Sequence, residues 1–264
     1  MSPGVPPLSP SDVVRALRAA GCVFAEDEAD LLLSSARTPD ELAAMVGRRA
    51  AGLPLEHVVG WADFCGLRVA VDEGVFVPRR RTEFLVRQAI ALAPPHPVVL
   101  DLCCGSGALG AALAAALDPA ELHAADVEPA AVRCARRNLA RYGGTVHQGD
   151  LFAPLPEGLR GRVDLLVANT PYVPSGSVGL LPPEARLHEP LVALDGGADG
   201  LDVQRRVAAG AGAWLAPGGH LLVEAGESQA ALAARVFREA GMSVRVVDSE
   251  ELYATVVIGT RPRG

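Results

Sequence analysis

Residues 98–110 read VVLDLCCGSGALG. The apolar run is typical of a buried strand, and the glycines after it open an alanine-rich helix predicted over 108–117. Gly105, Gly107 and Gly110 have the G-x-G-x-x-G spacing of a turn that holds an adenosine-containing cofactor, because glycine lets the backbone approach a ligand closely. The spacing alone does not separate NAD from other adenosine cofactors, and a tight turn without a ligand stays open.

Strands and helices alternate along the rest of the chain. Apolar strands that alternate with helices are typical of an α/β fold with a doubly wound, mostly parallel sheet. The connection before the final strand is short, so that strand is expected to run antiparallel to its neighbour. The predicted strands are 98–102, 122–126, 145–147, 163–168, 219–224, 243–248 and 254–260, and the predicted helices are 108–117, 129–141, 200–215 and 228–240.

Two further patterns precede this sheet. The first predicts a small helical bundle, in which Ser11 or Asp12 caps the first helix and Thr38 caps the third. The second mixes glycine, proline and β-forming residues and predicts a β-hairpin linker. Thr82 is expected to cap the helix that follows the linker. We therefore divide the chain into a helical domain (1–51), a hairpin linker (52–78) and an α/β domain (79–264).

The composition excludes several classes of protein. Half of the 264 residues are hydrophobic and 21% are charged, which is typical of a globular chain and not of a disordered one. The net charge of −7 argues against broad nucleic-acid binding, which relies on a basic face. No apolar run has the length of a membrane span, and the cysteines and histidines lack the spacing of a metal site. The odd set of five cysteines and the lack of a secretion signal predict a cytoplasmic protein.

Acidic residues follow the next two predicted strands. Asp126 lies about 20 residues beyond the first glycine of the turn, where a carboxylate accepts hydrogen bonds from ribose hydroxyls. The alternative for Asp126 is a cap for the helix that begins at Pro129. Asp150 suits the amino group of an adenine, with Leu151 or Phe152 against the ring. An ordinary surface turn is the alternative for that stretch.

The fourth strand ends in Asn169-Thr170-Pro171-Tyr172. In an open α/β sheet, ligands bind beyond the carboxyl ends of the strands. Asn169 offers an acceptor oxygen there, and Tyr172 supplies a flat wall. Pro171 biases Thr170 away from helical backbone and so turns its carbonyl in a fixed direction. The four residues therefore predict a site that holds a planar amino group by its two hydrogens.

These motifs together resemble those of class I S-adenosylmethionine (SAM) methyltransferases, and more specifically the HemK/PrmC protein-(glutamine-N5) methyltransferases. The resemblance extends from the N-terminal helices to Arg261. It includes the stretches GLPLEHVVG (52–60), FVPR (76–79) and ALDGGADGL (193–201). The chain departs from the family at two places: Thr170 stands where the family has proline, and Arg80-Arg81 stand where it has Pro-Glu. Both departures concern the expected substrate side of the site, not the cofactor side.

The resemblance implies a Rossmann-like fold with a small N-terminal helical domain, SAM as methyl donor and S-adenosylhomocysteine as its product. In that family the N-terminal helices help to grip a protein substrate. The methyl group goes to a glutamine in a Gly-Gly-Gln loop, typically of a peptide-chain release factor, and a sister branch acts on a ribosomal protein. Asn169 and the carbonyl of Thr170 would hold the glutamine amide, and Phe76 and Tyr172 would sandwich its side chain. A monomer without direct nucleic-acid or membrane contact is expected.

The family pattern assigns the site residue by residue. The catalytic set is Asn169, Thr170, Pro171 and Tyr172. The cofactor set is Asp101, Cys103, Gly105, Ser106, Gly107, Asp126, Val127, Asp150, Leu151, Phe152 and Asn169. The substrate set is Phe76, Pro78, Arg79, Asn169 and Tyr172. No metal and no general base are assigned, because an amide nitrogen needs positioning more than acid–base chemistry.

Other functions stay open on the sequence alone. The same loop suits an amino group on a nucleic-acid base or on a small natural product. A NAD-dependent oxidoreductase accounts for the glycine turn but not for Asn169-Thr170-Pro171-Tyr172, and a chain without lysine has no Tyr-x-x-x-Lys. A fourth hypothesis is a binding module without catalytic activity. The arginines at 79–81 are either a solvated helix start or a contact for an acidic partner or an RNA backbone.

Overall fold

The computed structural model describes residues 8–118 and 120–263 and contains one seven-stranded sheet. The strands of this sheet are β3 (Val98–Leu102), β4 (Glu121–Asp126), β5 (Thr145–Gln148), β6 (Val163–Ala168), β7 (Leu215–Ala225), β8 (Ser243–Ser249) and β9 (Ala254–Thr260). Their order in the sheet is β5-β4-β3-β6-β7-β9-β8. The predicted mostly parallel sheet with an antiparallel last strand is confirmed: β9 runs antiparallel to both of its neighbours, β7 and β8.

Helices cover both faces of the sheet and bury it. They are α5 (Glu83–Leu92), α6 (Ala108–Ala116), α7 (Pro129–Leu139), α9 (Asp202–Trp214) and α10 (Ala230–Glu239). Side chains of α5, α6 and α7 pack on one face, and side chains of α9 and α10 pack on the other. Because both faces are covered, all five residues of β3 are buried, which explains why its sequence is a continuous apolar run.

The direction of strand order changes at β3. Its two neighbours are β4 on one side and β6 on the other, and both pairs are parallel. In an open α/β sheet, this change leaves a crevice beyond the carboxyl ends of the strands. The chain therefore brings the ends of β3, β4 and β6, and the polar residues that follow them, to one place.

The N-terminal helices have a hydrophobic cluster of their own. They are α1 (Pro10–Ala19), α2 (Ala25–Ser35), α3 (Pro39–Ala50) and α4 (Leu55–Val59). Thr38 caps α3 as predicted, since its side chain accepts a hydrogen bond from the backbone N–H of Glu41. The predicted cap of α1 is wrong. Ser9 caps that helix, and Asp12 closes the capping box from inside the first turn. Residues 1–7 of the predicted helical domain lie outside the described residues.

The predicted hairpin linker contains a helix that the sequence reading missed. The hairpin itself is short, with β1 at Trp61–Phe64 and β2 at Leu67–Ala70, and α4 occupies the start of the linker. Asn138 of α7 anchors the hairpin, because its side chain exchanges two hydrogen bonds with the backbone of Ala70. The same amide donates to the carbonyl of Ser106 in the glycine turn, 2.8 Å away. The hairpin is thus tied to the turn that follows β3.

Two further predictions about helices need correction. Thr82 does not cap α5: its backbone is helical, and its hydroxyl donates to Glu224 Oε2 at 2.6 Å. A short helix, α8 (Pro183–His188), lies between β6 and α9, where no helix was predicted. Gly241 follows α10 with φ +82°, as a C-terminal glycine requires. Among residues 8–118 and 120–263, no helix has the length and apolar character to cross a membrane.

Candidate active site

A cavity of about 600 Å³ lies beyond the carboxyl ends of β3, β4 and β6. It brings together most of the residues that the sequence assigned to a site. Those on its wall are Phe76, Pro78, Arg79, Cys103, Gly105, Ser106, Asp126, Val127, Asp150, Leu151, Asn169, Thr170, Pro171 and Tyr172. Asp101, Gly107 and Phe152 do not line the cavity.

The glycines of the turn have different structural roles. Gly105 has φ +54° and lines the cavity, and a Cβ added there meets no atom within 4 Å. Gly107 has φ +78°, and an added Cβ would lie 3.1 Å from Ala135 of α7. Gly110 approaches the carboxylate of Asp101, which would lie 3.2 Å from an added Cβ. The first glycine therefore leaves space for a ligand, and the other two allow close packing of the helix and the turn.

Two carboxylates organise this turn. Asp126 accepts hydrogen bonds from the backbone N–H groups of Gly105 (2.8 Å) and Glu128 (2.9 Å) while it lines the cavity. Asp101 is fully buried, and its Oδ2 accepts from the N–H of Gly110 at 2.9 Å. Its Oδ1 has no partner among the described residues, and burial raises the pKa of Asp101 to about 7. Asp101 thus shapes the turn from behind the cavity wall.

The stretch after β5 divides between the cavity and the core. Asp150 and Leu151 line the cavity, and Leu151 has the left-handed φ of +48°. Asp150 forms an ion pair with Arg206, 2.6 Å away, at the cavity edge. Phe152 instead stacks on Trp214 with ring centroids 5.7 Å apart. Of the two apolar residues considered for an adenine ring, only Leu151 reaches the cavity.

Unpartnered polar atoms mark the loop after β6. Asn169 Oδ1 and Thr170 Oγ1 are both buried, and neither has a hydrogen-bond partner among the described residues. Both residues line the cavity. An unpaired buried acceptor costs about 1–3 kcal/mol of folding free energy. Such an atom on a residue that lines a cavity indicates a place where a ligand's N–H group completes the hydrogen bonding.

Tyr172 is held by charged residues that the sequence reading did not connect with it. Arg81 donates to its hydroxyl and also forms an ion pair with Glu224 at 2.9 Å. The tyrosine hydroxyl donates to the same Glu224 carboxylate at 3.3 Å. Glu224 is 3% exposed. Burial of Tyr172 and the neighbouring negative charge of Glu224 raise the pKa of Tyr172 to about 12. Tyr172 is therefore a neutral phenol with a fixed ring.

Arg79 is held in a similar way on the linker side of the cavity. Its guanidinium donates to both carboxylate oxygens of Glu189 (2.7 and 2.6 Å) and lies over the ring of Phe76. Glu189 also accepts from the backbone N–H of Val77. Arg79 and Arg81 form ion pairs within the chain, a pairing that neither alternative for the arginine run included, while Arg80 and Arg81 are exposed at the helix start.

Two glycines of the stretch 193–201, Gly196 and Gly200, pack closely against the backbone of the Asn169–Tyr172 turn. Cβ atoms added at Gly196 and Gly200 would lie 2.6 Å from the carbonyl oxygen of Pro171 and 2.2 Å from that of Tyr172. Gln229 donates to the carbonyl of Tyr172 at 3.0 Å. The stretch ALDGGADGL (193–201) carries part of the family resemblance, but only the folded chain brings it against this turn.

Replacing Gly196 with alanine is expected to lower the free energy of unfolding by about 1–3 kcal/mol and kcat by at least about tenfold. Gly196 has a negative φ, so the effect arises from crowding against Pro171 and not from backbone strain. Gly212→Ala is the matched control, because a Cβ there meets nothing within 4 Å. Chemical unfolding and initial-rate kinetics measure both variants, and equal behaviour of the two would refute the support role.

The residues of this site fit SAM. The open side of Gly105 leaves room for a ligand against the backbone, and the volume lies in the range of small-molecule sites. Asp126 and Glu128 give this part of the wall a negative charge that suits a sulfonium cation, whereas Asp150 is paired with Arg206. Asp126 and Asp150, which the sequence assigned to the ribose and the adenine, both line this cavity.

Comparisons with known proteins agree with a methyltransferase fold. Residues 67–180 match the family described as Methyltransferase small domain. A release factor glutamine methyltransferase of Geobacter sulfurreducens is 42% identical over 208 residues, which are 77% of this chain and 72% of that protein. A 4-amino-L-phenylalanine/4-methylamino-L-phenylalanine methyltransferase of Streptomyces pristinaespiralis is 38% identical over 234 residues, or 86% of this chain and 79% of that protein.

The solved structure of a methyltransferase from Pyrococcus furiosus has the same fold. It superimposes with a TM-score of 0.57 and 16% identity, covering 75% of this chain and 90% of that one. The Geobacter relative shows more than a common fold, because its sequence is 42% identical over 77% of this chain. The chain belongs to the HemK/PrmC family of protein-(glutamine-N5) methyltransferases, within the class I SAM-dependent enzymes.

Proposed function

We propose that this protein transfers a methyl group from SAM to the side-chain amide nitrogen of a glutamine in a peptide-chain release factor. The observation that carries the proposal is the buried, unpartnered Oδ1 of Asn169, a residue that lines the cavity. A primary amide supplies two N–H donors, and this oxygen accepts one of them. The carbonyl of Thr170, in the same turn, is assigned to the other.

The chemistry depends on positioning. An amide nitrogen is a poor nucleophile because its lone pair is delocalised into the carbonyl group. When bound, SAM supplies an electrophilic methyl group on a sulfonium. As the nitrogen begins to form the new bond, its hydrogens become more positive, so acceptors at Asn169 and Thr170 bind the transition state more strongly than the ground state. The products are a secondary amide, S-adenosylhomocysteine and one proton.

The walls of the cavity suit a flat, extended side chain. Phe76 is fixed beneath the guanidinium of Arg79, and Tyr172 is fixed by Arg81 and Glu224. Two fixed aromatic faces restrict the rotation of a glutamine side chain, which brings its nitrogen into line with little further loss of entropy. Every residue of this proposal belongs to one chain, so a monomer is sufficient. A release-factor substrate is consistent with action in the cytoplasm.

A small aromatic amine is the second candidate substrate. The Streptomyces pristinaespiralis relative, which is 38% identical, is named for methylation of 4-amino-L-phenylalanine. An aryl amine also offers two N–H donors and a flat body, so it meets the same acceptors and the same aromatic walls. The candidates differ in size, since one is a free amino acid and the other is a macromolecule.

The test is methyl transfer from labelled SAM to purified release factors of the same organism. The expected result is label on the factor with Gly-Gly-Gln and none on its Gln→Ala variant. Parallel reactions contain 4-amino-L-phenylalanine or total RNA. Label on the amino acid alone would replace the proposal with the second candidate, and label on RNA alone would overturn both.

A further inference from the structure

Residues 174–194, here called the rim segment, form a long connection between β6 and α9 whose two ends lie next to each other. Its base is joined by hydrogen bonds from Val173 N–H to the carbonyl of Leu194 (3.0 Å) and from Gly196 N–H to the carbonyl of Val173 (2.9 Å). The segment contains α8 and short turns on either side of it. Its ends are therefore fixed next to the Asn169–Tyr172 turn.

Two ion pairs hold the rim segment to the rest of the chain. Glu184 accepts from Arg49 of α3 at 2.6 Å, and Arg49 is itself buried against Glu28 of α2. Glu189, which is 6% exposed, accepts from Arg79, the first residue after the linker. The segment is thus attached to the N-terminal helices on one side and to the cavity wall on the other. A surface held in this way loses little conformational entropy when a partner binds.

The outer side of the rim segment is apolar and open to solvent. Leu180 is 84% exposed, Leu187 64%, Leu191 59% and Val192 45%. Single exposed leucines are common on protein surfaces, but four large apolar side chains exposed within thirteen residues of one fixed segment are a local excess of apolar surface. We call these four residues the rim patch. Such patches mark interaction sites.

The inner side of the same segment lines the cavity. Leu181, Pro182 and Ala185 lie on the cavity wall, and Val192 belongs both to that wall and to the rim patch. The patch is therefore continuous with the cavity mouth. A substrate that fits wholly inside the cavity leaves the patch in water. A macromolecule that inserts one side chain into the cavity covers it.

We propose that the rim patch is the docking surface for the release factor whose glutamine enters the cavity, and that it takes an apolar surface beside the glutamine loop. This inference rests on the proposed function. The continuity of the patch with the mouth selects this occupant over a second copy of the chain, which would cover the entrance.

The test combines Leu187→Ser and Leu191→Ser, two residues of the patch that do not line the cavity. We expect KM for the release factor to rise about tenfold or more, because exposed apolar anchors of an interface carry much of its affinity. The kcat at saturating factor, the affinity for S-adenosylhomocysteine and the unfolding midpoint are expected to stay unchanged. Tyr253→Ser is the control, since Tyr253 is 90% exposed and lies in the turn between β8 and β9.

The outcomes separate this inference from the proposed function. An unchanged KM in the double variant, with the wild-type enzyme active on the factor, overturns the docking surface alone. A change in self-association of the enzyme without a change in KM also overturns it, because the patch then belongs to a contact between copies. A wild-type enzyme that labels no release factor overturns the proposed function and this inference together.

Discussion

Replacing Asn169 with alanine is expected to lower kcat for methyl transfer by about two to three orders of magnitude. The variant removes a buried acceptor that has no partner among the described residues, and the proposed partner is the N–H of the reacting amide. That hydrogen bond strengthens as positive charge develops on the nitrogen, so its loss appears in kcat more than in KM. Single-turnover rates at saturating SAM and acceptor protein measure the effect.

The comparison variant for this prediction is Asn169→Asp. It keeps an acceptor oxygen at the same place, so it is expected to retain more activity than the alanine variant. Binding of S-adenosylhomocysteine, measured by titration calorimetry, is expected to change less than about tenfold in the alanine variant. If its kcat stays within about tenfold of the wild-type value, Asn169 does not hold the reacting amide.

The second large effect is expected at Asp126. We expect Asp126→Asn to weaken the binding of S-adenosylhomocysteine by about 10- to 100-fold, because it replaces charge-assisted hydrogen bonds with a neutral amide. The carboxylate already accepts from the backbone N–H groups of Gly105 and Glu128, so it orients the cofactor turn as well as facing the cavity. Titration calorimetry measures the affinity, and thermal unfolding measures the stability.

Asp164→Asn is the matched control for Asp126. Its carboxylate also accepts from a backbone N–H, that of Val98 at 2.9 Å, but it does not line the cavity. Both variants are expected to lose stability, and only the Asp126 variant is expected to lose affinity. Equal affinities in the two variants would mean that Asp126 acts only on the turn.

The strands were the most predictable part of the fold. The structure gives β3 and β6 the predicted bounds, 98–102 and 163–168. A strand covered on both faces must be apolar at almost every position, so its limits are visible in the sequence itself. The polar residues at the ends of β4 and β6 were predictable for a different reason: the carboxyl ends of parallel strands meet at one edge of the sheet, where ligands bind.

Helix ends and short helices were less predictable. Ser9, Ser11 and Asp12 are all acceptable caps, and the reciprocal capping box with Asp12 favours Ser9. Thr82 has the sequence of a cap, but its hydroxyl bonds Glu224, which lies 142 residues further along the chain. The short helix α8 has too few residues for a periodic pattern.

Sequence alone determined which chemistry the chain carries: the glycine turn, the acidic residues after the strands and the Asn169–Tyr172 loop. The tertiary structure decided which of these side chains face the cavity and what holds them. Phe152 stacks on Trp214, and Arg79 and Arg81 form ion pairs with Glu189 and Glu224. These contacts were not predictable because they join residues that are far apart in the sequence. Backbone preference and periodicity act between near neighbours, whereas the partners of these arginines lie more than a hundred residues away and meet them only when the sheet has assembled.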